Sequence, residues 1–218
     1  MAREYGLQML NLAIEVGDRV MESTAYINLA WRASAREDWH AAEEYILKGI
    51  AIKREIHQLD ALAEGLVWLG HIELGLHRPV EAEQAFRESL EIRHELGQEA
   101  LEAESMSGLS RALLVQGNLA AAQGFVEKII DYISRDENLS GAWEPMRIYW
   151  TCYQVFQEAE DPRQEGFLKD AVEHLKKMAE NIPDEKAQER FLTNVPWHQD
   201  IMAEWELVRH KKDLGTKG

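Results

Sequence analysis

The stretch that decides the fold is DALAEGLVWLGHIELGLHRPVEAEQAFRESLEIRHELG, residues 60–97. It holds two segments rich in Ala, Leu and Glu, which favour helices, and the turn His77-Arg78-Pro79 separates them. Proline suits a first helical turn because its missing N–H would have no partner there. Gly97 suits a helix end because glycine accepts the left-handed conformation. The stretch therefore predicts an antiparallel pair of helices at about 60–76 and 80–96.

The same pattern recurs every 40 residues along the chain. Small residues meet small residues at two positions, Ala30/Gly70/Ser110 and Ala42/Ala82/Ala122. Large apolar residues meet large apolar residues at two others, Leu29/Leu69/Leu109 and Ile46/Phe86/Val126. Small residues let the two helices of a hairpin approach closely, and the large ones then face the next hairpin. Since one hairpin cannot bury that face alone, the pattern predicts a stacked solenoid.

These positions resemble the tetratricopeptide repeat (TPR), in which a small residue, an alanine twelve later and a large apolar residue four after that recur. The resemblance covers residues 2 to about 180 and implies an all-α, right-handed superhelical solenoid with about ten helices. The period departs from the family, being 40 rather than the usual 34. The proline that often ends the second helix is also missing, with Arg54, His94 and Ser134 near that place. Such long-period arrays resemble those of large bacterial signalling proteins, where they follow an ATPase domain of the AAA or STAND type.

The repeat register divides the chain into segments. We expect a solenoid over 1–182, composed of a half repeat at 2–18 and hairpins at about 20–58, 60–98, 99–136 and 143–181. Asn118 is the expected N-cap of a helix in the third hairpin, and Asp161-Pro162 is the expected start of the last one. Two capping helices follow at 183–210, and a disordered tail at 211–218. The expected cover of the solenoid end consists of Phe191, Leu192, Val195, Trp197, Ile201 and Trp205.

The opening stretch AREYGLQMLNLAIEVGD, residues 2–18, matches the second half of the repeat. Ala2 aligns with Ala42, and Gly17 aligns with Gly97. We therefore expect the chain to start inside a hairpin whose first helix is absent, as the C-terminal arm of a longer protein. An N-terminal capping helix is the competing interpretation.

The composition limits the classes of partner. The net charge of −15 disfavours nucleic acid and anionic membranes, because both repel an acidic chain. The single cysteine, Cys152, excludes an internal disulfide and suits a reducing compartment. No signal peptide is recognisable. We therefore expect a cytoplasmic protein that binds neither nucleic acid nor membrane.

The sequence contains no motif of a known reaction or metal site. It has no Gly-rich phosphate loop, no HExxH and no GxSxG. Cys152 lies in YWTCYQV, close to the register of the packing residue Leu109, which favours a buried structural cysteine over a nucleophile. We expect neither catalysis nor a cofactor or metal.

A binding groove is expected on the concave face, which the first helix of each hairpin lines in such solenoids. Three rows at helical spacing face it: Trp31, His71, Arg111 and Gln154; Ile27, Val67, Ser107 and Trp150; and Thr24, Glu64, Glu104 and Arg147. Unlike the packing rows, these rows change chemistry from repeat to repeat. The candidate partner-binding residues are Trp31, Glu64, His71, Glu104, Arg111, Arg147, Trp150 and Gln154, since Trp and Arg often anchor interfaces. The competing interpretation is that these positions vary because nothing constrains them, or that Trp31 and Trp150 pack between hairpins.

These features predict a non-catalytic interaction or sensor module, within a larger bacterial regulator, that binds a protein, a peptide or a small effector. The alternative is a structural scaffold that self-associates through its ends, as a homo-oligomer formed through the open N-terminal end.

Overall fold

The computed structural model describes residues 2–135, 139 and 141–215, without the side chains of 2–4 and 212–215. Those residues form eleven helices and no strand, which confirms the predicted all-α solenoid of antiparallel hairpins. The helices are α1 (Ala2–Val16), α2 (Arg19–Ser34), α3 (Trp39–Glu55), α4 (Leu59–Gly75), α5 (Pro79–Glu95), α6 (Glu99–Val115), α7 (Leu119–Arg135), α8 (Pro145–Glu158), α9 (Gln164–Glu180), α10 (Glu185–Thr193) and α11 (Pro196–Gly215).

A left-handed residue ends each helix from α1 to α6, at intervals of twenty residues. The residues with positive φ are Gly17, Glu37, His57, His77, Gly97 and Gly117. At α5, the Gly97 N–H donates to the His94 carbonyl and the Gln98 N–H donates to the Arg93 carbonyl, both at 3.0 Å. This is the Schellman pattern, which satisfies the last carbonyls of a helix. A uniform turn every twenty residues explains why the sequence repeats in pairs of helices, every 40.

The first helices of successive hairpins form one side of the array. Helix α4 contacts α2 and α6, and α6 contacts α8. Among the described residues, the backbones of α3 and α5, of α5 and α7 and of α7 and α9 do not approach so closely, and the long side chains of Arg54 and Glu88 bridge α3 and α5 by an ion pair at 2.7 Å. The array therefore curves toward α2, α4, α6 and α8, which places the predicted groove residues on its inner side.

The small residues of the repeat are needed where the helices meet. Ala30, Ala42, Ala82 and Ala122 are fully buried. The fully buried Phe86 ring lies between two glycines: a Cβ at Gly70 would approach it to 2.6 Å, and a Cβ at Gly108 would approach it to 2.2 Å. Real Cβ atoms do not come so close, so the two glycines make the space that this ring fills.

Several predicted boundaries shift in the structure. Pro79 begins α5 as predicted, and the Asn118 side chain caps α7 by accepting from the Ala121 N–H at 3.4 Å. Helix α9 begins at Gln164 rather than at Pro162, because the Asp161 carboxylate accepts the Arg163 N–H at 2.8 Å and holds a turn before the helix. Helix α11 continues to Gly215, past the predicted end of the last capping helix at 210; the disordered tail stays a prediction, and 216–218 lie outside the described residues.

The C-terminal helices cover one end of the solenoid core. Ile201 is fully buried, and Phe191, Leu192, Trp197 and Trp205 pack, partly exposed, on the core that α6 to α9 share. The Tyr153 hydroxyl donates to Glu204 Oε1 at 2.8 Å and ties α8 to α11. Helix α10 buries no residue, so this end of the molecule is more exposed to solvent than the array. The division into solenoid, cap and tail stays a prediction.

Candidate functional site

A cleft opens on the inner side of the array, between α4, α6 and the start of α8. Its volume, measured as the space open to the centre of a water molecule, is about 30 Å³. Helix α4 lines it with Glu64, Val67, Trp68 and His71; α6 lines it with Glu104 and Ser107; and α5 contributes Arg93. The loop before α8 and its first turn contribute Trp143, Glu144, Arg147 and Ile148. Because the cleft is open on one side, a ligand can extend from this space to the rim.

Arg147 is the central cation of the cleft, and only 12% of its side-chain surface is exposed. Its guanidinium lies 4.0 Å from the centre of the Trp197 ring and 5.9 Å from that of Trp68. Burial lowers its pKa to about 10, against the attraction of Glu144. Nη1 lies 2.7 Å from Glu144 Oε2, but without hydrogen-bond geometry, and the buried Nε and Nη1 have no hydrogen-bond partner among the described residues. Guanidinium nitrogens can only donate, so among those residues Nε has no acceptor and Nη1 has only the misaligned carboxylate of Glu144.

His71 lies beside this guanidinium. Its ring meets the edge of Phe86 with centroids 5.0 Å apart and that of Trp68 at 6.2 Å. Burial holds its pKa well below the ordinary value, and the charges of Arg147 and Arg111 lower it further. His71 is therefore neutral at pH 7. Its buried Nδ1 has no partner among the described residues.

Three carboxylates line the same cleft, and burial raises the pKa of each. Glu104 Oε1 accepts the backbone N–H of Trp143 and, at 3.0 Å, that of Glu144. It thereby fastens the start of α8 to α6. Glu144 faces Arg147. Glu64 accepts from the Trp68 side chain and lies in the field of Arg93.

The cleft brings together four of the eight predicted residues: Glu64, His71, Glu104 and Arg147. Arg111 lies just behind them, because its charge lowers the pKa of both His71 and Arg147, and burial lowers its own pKa. The other three predicted residues lie outside the lining. Trp31 is 49% exposed on α2, Gln154 is half-buried, and Trp150 stacks on Tyr153 with centroids 5.3 Å apart.

Sequence reasoning missed Trp68, Arg93, Trp143 and Glu144. Trp68 is the neighbour of Val67 in a predicted row, so a slightly wider helical stripe would have included it. Arg93 reaches the cleft from α5, a helix outside the predicted rows, and donates to Asp60 and Gln98 on the way. Trp143 and Glu144 lie in the irregular loop before α8, where the repeat register carries no information.

A second pocket adjoins the cleft and shares Trp143, Glu144 and Trp197 with it or its rim. Its space, measured in the same way, is about 210 Å³. Its further lining comes from both sides of the C-terminal junction: Pro145, Met146, Met178, Phe191, Val195 and His198. The lining is mostly apolar, and the Trp143 side chain, 65% exposed, stands between the two pockets.

Other chemistry finds little support in the described part of the chain. Cys152 is fully buried, and burial raises the pKa of its thiol, which disfavours the thiolate. No group of three His, Cys, Asp or Glu residues with metal-binding geometry occurs among the residues searched. None of the helices described is long and apolar enough to cross a bilayer.

Comparison with known proteins finds a family match for one stretch of the chain and a fold match for most of it. Residues 23–60 match the family model described as tetratricopeptide repeat. The solved structure of BtubC (BKLC) from P. vanneervenii matches with a TM-score of 0.69 at 14% identity, covering 99% of this chain and 89% of that chain. A kinesin-light-chain-type protein of Podosopora anserina with nearly identical TPR-like repeats matches with a TM-score of 0.62 at 13% identity, covering 81% and 86%. At such identities the likeness shows the fold alone. No curated protein matches the sequence significantly.

Proposed function

We propose that this chain is a non-catalytic interaction module that binds a partner protein or peptide in the cleft between α4, α6 and α8. One observation carries the proposal: Arg147 and His71 are enclosed in an open cleft with nitrogen atoms that have no hydrogen-bond partner among the described residues. Buried polar groups are nearly always hydrogen-bonded in folded proteins, so a cluster of exceptions needs an explanation. A bound partner that supplies the missing groups is such an explanation. TPR repeats generally mediate protein–protein interaction.

Trp143 is the natural anchor for a partner. Its side chain is 65% exposed at the rim that joins both pockets, and tryptophan is enriched among residues that dominate binding energy. Below it lies the apolar second pocket, and beside it lies the charged cleft. A partner that covers Trp143 would therefore meet both an apolar and a charged surface.

The test compares two tryptophans. The immobilised chain captures proteins from an extract of its source organism, and the partner is then purified and titrated against variants. Trp143→Ala is expected to weaken binding at least about tenfold, as hot-spot truncations do. Trp31→Ala is the matched control, because it removes an exposed tryptophan from the same side of the array outside the cleft. Loss of binding with Trp31→Ala but not with Trp143→Ala would mean that the partner binds on α2 and not in the cleft.

The parent protein is part of the same proposal. The 40-residue period resembles arrays in bacterial signalling ATPases, which supports a cytoplasmic sensor arm whose occupied cleft changes an adjoining ATPase domain. Such control requires that the partner bind one state of the parent more tightly than the other. Coding sequence for a nucleotide-binding domain next to this chain is the observation expected. Its absence from the parent gene would remove the ATPase part of the proposal and leave the cleft untouched.

Self-association is a second candidate, and the exposed apolar face of α1 favours it. Leu12 and Val16 are 53% and 63% exposed and lie one helical turn apart on the same face. Large exposed apolar patches mark interaction sites. Sizing by light scattering over a wide concentration range tests this candidate, with the double variant Leu12→Glu, Val16→Glu as its probe. Association that grows with concentration and disappears in the variant supports it, whereas a monomer at every concentration rejects it.

A further inference from the structure

The cleft carries charges of both signs in nearly equal number. Glu64, Glu104 and Glu144 line it together with Arg93 and Arg147, and Arg111 lies behind. Their hydrogen bonding is incomplete: Nε of Arg93, Nε and Nη1 of Arg147 and Nδ1 of His71 are buried without partners in the part of the chain described. Burial lowers the pKa of Arg111, against the attraction of Glu144.

The charges follow an order along the two helices that wall the cleft. On α4, Glu64 precedes Val67 and Trp68, and His71 follows them. On α6, Glu104 precedes Ser107, and Arg111 follows it. Helices α4 and α6 run in the same direction, since each begins a hairpin. Seven residues span about 10 Å along a helix, so an acidic end and a basic end lie about two turns apart.

The third wall strengthens this order. Arg147, from α8, places its guanidinium over Trp68 and close enough to His71 to lower the pKa of that imidazole. Three of the four buried nitrogens without a hydrogen-bond partner, those of Arg147 and His71, therefore lie at the His71 end, and the fourth belongs to Arg93. At the Glu64 end, the Glu64 carboxylate receives a hydrogen bond from Trp68. Between the ends lie the side chains of Val67 and Trp68, which are apolar except for the indole N–H.

A ligand with a single charge fits this cleft poorly. An anion would satisfy Arg147 but would also meet three carboxylates, and a cation would satisfy Glu64 but would also meet the guanidinium. Like charges brought together in a desolvated site are strongly unfavourable. A ligand with both charges, separated by an apolar chain, meets an excess of the opposite charge at each end. Arg147 and Arg111 outnumber Glu144 at the basic end, and Arg93, the cation near Glu64, is already paired with Asp60.

We infer that the cleft binds a small amphoteric effector, an unbranched molecule with an ammonium group against Glu64 and a carboxylate against Arg147 and His71. The inference rests on the proposed function because it takes the same cleft as the binding surface. The aliphatic middle of the ligand lies on Val67 and Trp68, and Trp143 covers the opening.

Unbranched amino acids of increasing length test the distance between the acidic and the basic end of the cleft. Calorimetric titration of the full chain with glycine, γ-aminobutyrate and ε-aminocaproate is expected to show affinity that rises with length. N-acetyl-ε-aminocaproate and hexylamine keep one charge each and serve as single-charge probes. They are expected to bind about tenfold more weakly or worse, since each leaves a buried group of the cleft unpaired.

Two variants assign the ends of the ligand. Glu64→Gln keeps the shape of the side chain and is expected to abolish the preference for ε-aminocaproate over its N-acetyl form. Arg147→Gln is expected to abolish the preference for ε-aminocaproate over its amide. Circular dichroism confirms that each variant folds, and Glu64→Gln alone decides the matter if Arg147→Gln does not fold. Trp31→Ala is the control and should bind all probes as the parent chain does.

Three results would overturn the inference: no probe binds the folded chain, the single-charge probes bind as well as ε-aminocaproate, or only a peptide with spaced Lys and Glu residues binds. In each case a partner protein captured through Trp143 would still support the proposed function. Conversely, selective binding of ε-aminocaproate with no partner that depends on Trp143 would support the inference and reject the proposed protein partner.

Discussion

The helices of the array, α2 to α7, pack in a different way from the C-terminal helices, α8 to α11. In the array, five consecutive helices have seventeen residues, and the turns that join the helices repeat. In the C-terminal part, the helices have fourteen, seventeen, nine and twenty residues, and aromatic side chains from α8, α10 and α11 replace the small-on-large pattern. The array is regular, so the residues that depart from the repeat pattern, and could give the molecule a specific site, come from the C-terminal part.

The cleft lies where these two regions meet. The array supplies Glu64, His71 and Glu104 from repeating positions, and the irregular region supplies Trp143 and Arg147. Neither region forms the cleft alone. A repeat protein can thus keep its scaffold constant and create a site at the junction, where the next hairpin departs from the register.

The largest expected effect is a difference in stability between a core substitution in the array and one in the C-terminal cap. Phe86→Ala should lower the free energy of unfolding by about 3–5 kcal/mol, because the cavity left by the ring cannot be filled from the glycines on either side. Phe191→Ala in the partly exposed cap should cost less than half as much, because water already reaches that ring. Urea unfolding followed by circular dichroism measures both. Equal losses would mean that the cap is packed as tightly as the array.

Glycine substitutions test the close approach itself. Gly108→Ala should destabilise the chain by about 1–3 kcal/mol, since the new methyl group would overlap the Phe86 ring. Gly124→Ala is the matched control on the next helix, because its Cβ would meet no atom within 4 Å. There the substitution should stabilise by about 0.5–1 kcal/mol through helix propensity. Chemical denaturation of the two variants measures the change in the free energy of unfolding for each. If Gly124→Ala destabilised the chain as much as Gly108→Ala, close packing against Phe86 would not explain the small residue at 108.

Removing a helix cap in each region shows how far the loss of stability spreads beyond the capped helix. Asp18 caps α2 by accepting the Met21 N–H at 2.9 Å, and Asp184 caps α10 by accepting the Ala187 N–H at 3.0 Å. Alanine at either position should cost about 1 kcal/mol. Hydrogen exchange is expected to speed up only in α10 for Asp184→Ala, because that helix buries no residue. Faster exchange throughout α8 and α9 as well would show that the cap is coupled to the core.

The smallest effect is a change of pH dependence at the junction. Burial raises the pKa of Glu104 above the ordinary value of 4.5, so the folded state holds this proton more tightly than the unfolded state. The contribution of Glu104 to stability is therefore full below pH 4.5 and is lost as the pH rises through the folded pKa. Glu104→Gln keeps an oxygen for the two backbone N–H groups and should remove this loss. Thermal unfolding should show that the variant gains stability relative to the parent chain between pH 4 and pH 7; a constant difference would contradict it.

The array could be predicted from the sequence because its signals agree at several levels. The small and large positions repeat every 40 residues, and Gly97, Pro79 and Asn118 mark helix ends where the structure has them. Glu64, His71 and Glu104 could be found because they lie on the inner stripe of helices whose repeat register is known, and Arg147 because it shares helical spacing with Trp150 and Gln154. The prediction was weakest after residue 135, where the register breaks. Trp143 and Glu144 come from that break, and the reach of Arg93 from α5 depends on side-chain conformation, which periodicity does not encode.

Hydrogen exchange with and without a purified partner tests most directly whether the junction cleft is the binding surface. Mass spectrometry resolves the exchange of each helix over the full chain. The account predicts that the partner slows exchange in α4, in α6 and in the segment from Gly141 through the first turn of α8, while α1 and α2 exchange as before. Slower exchange confined to α1 and α2, with the junction unchanged, would contradict it.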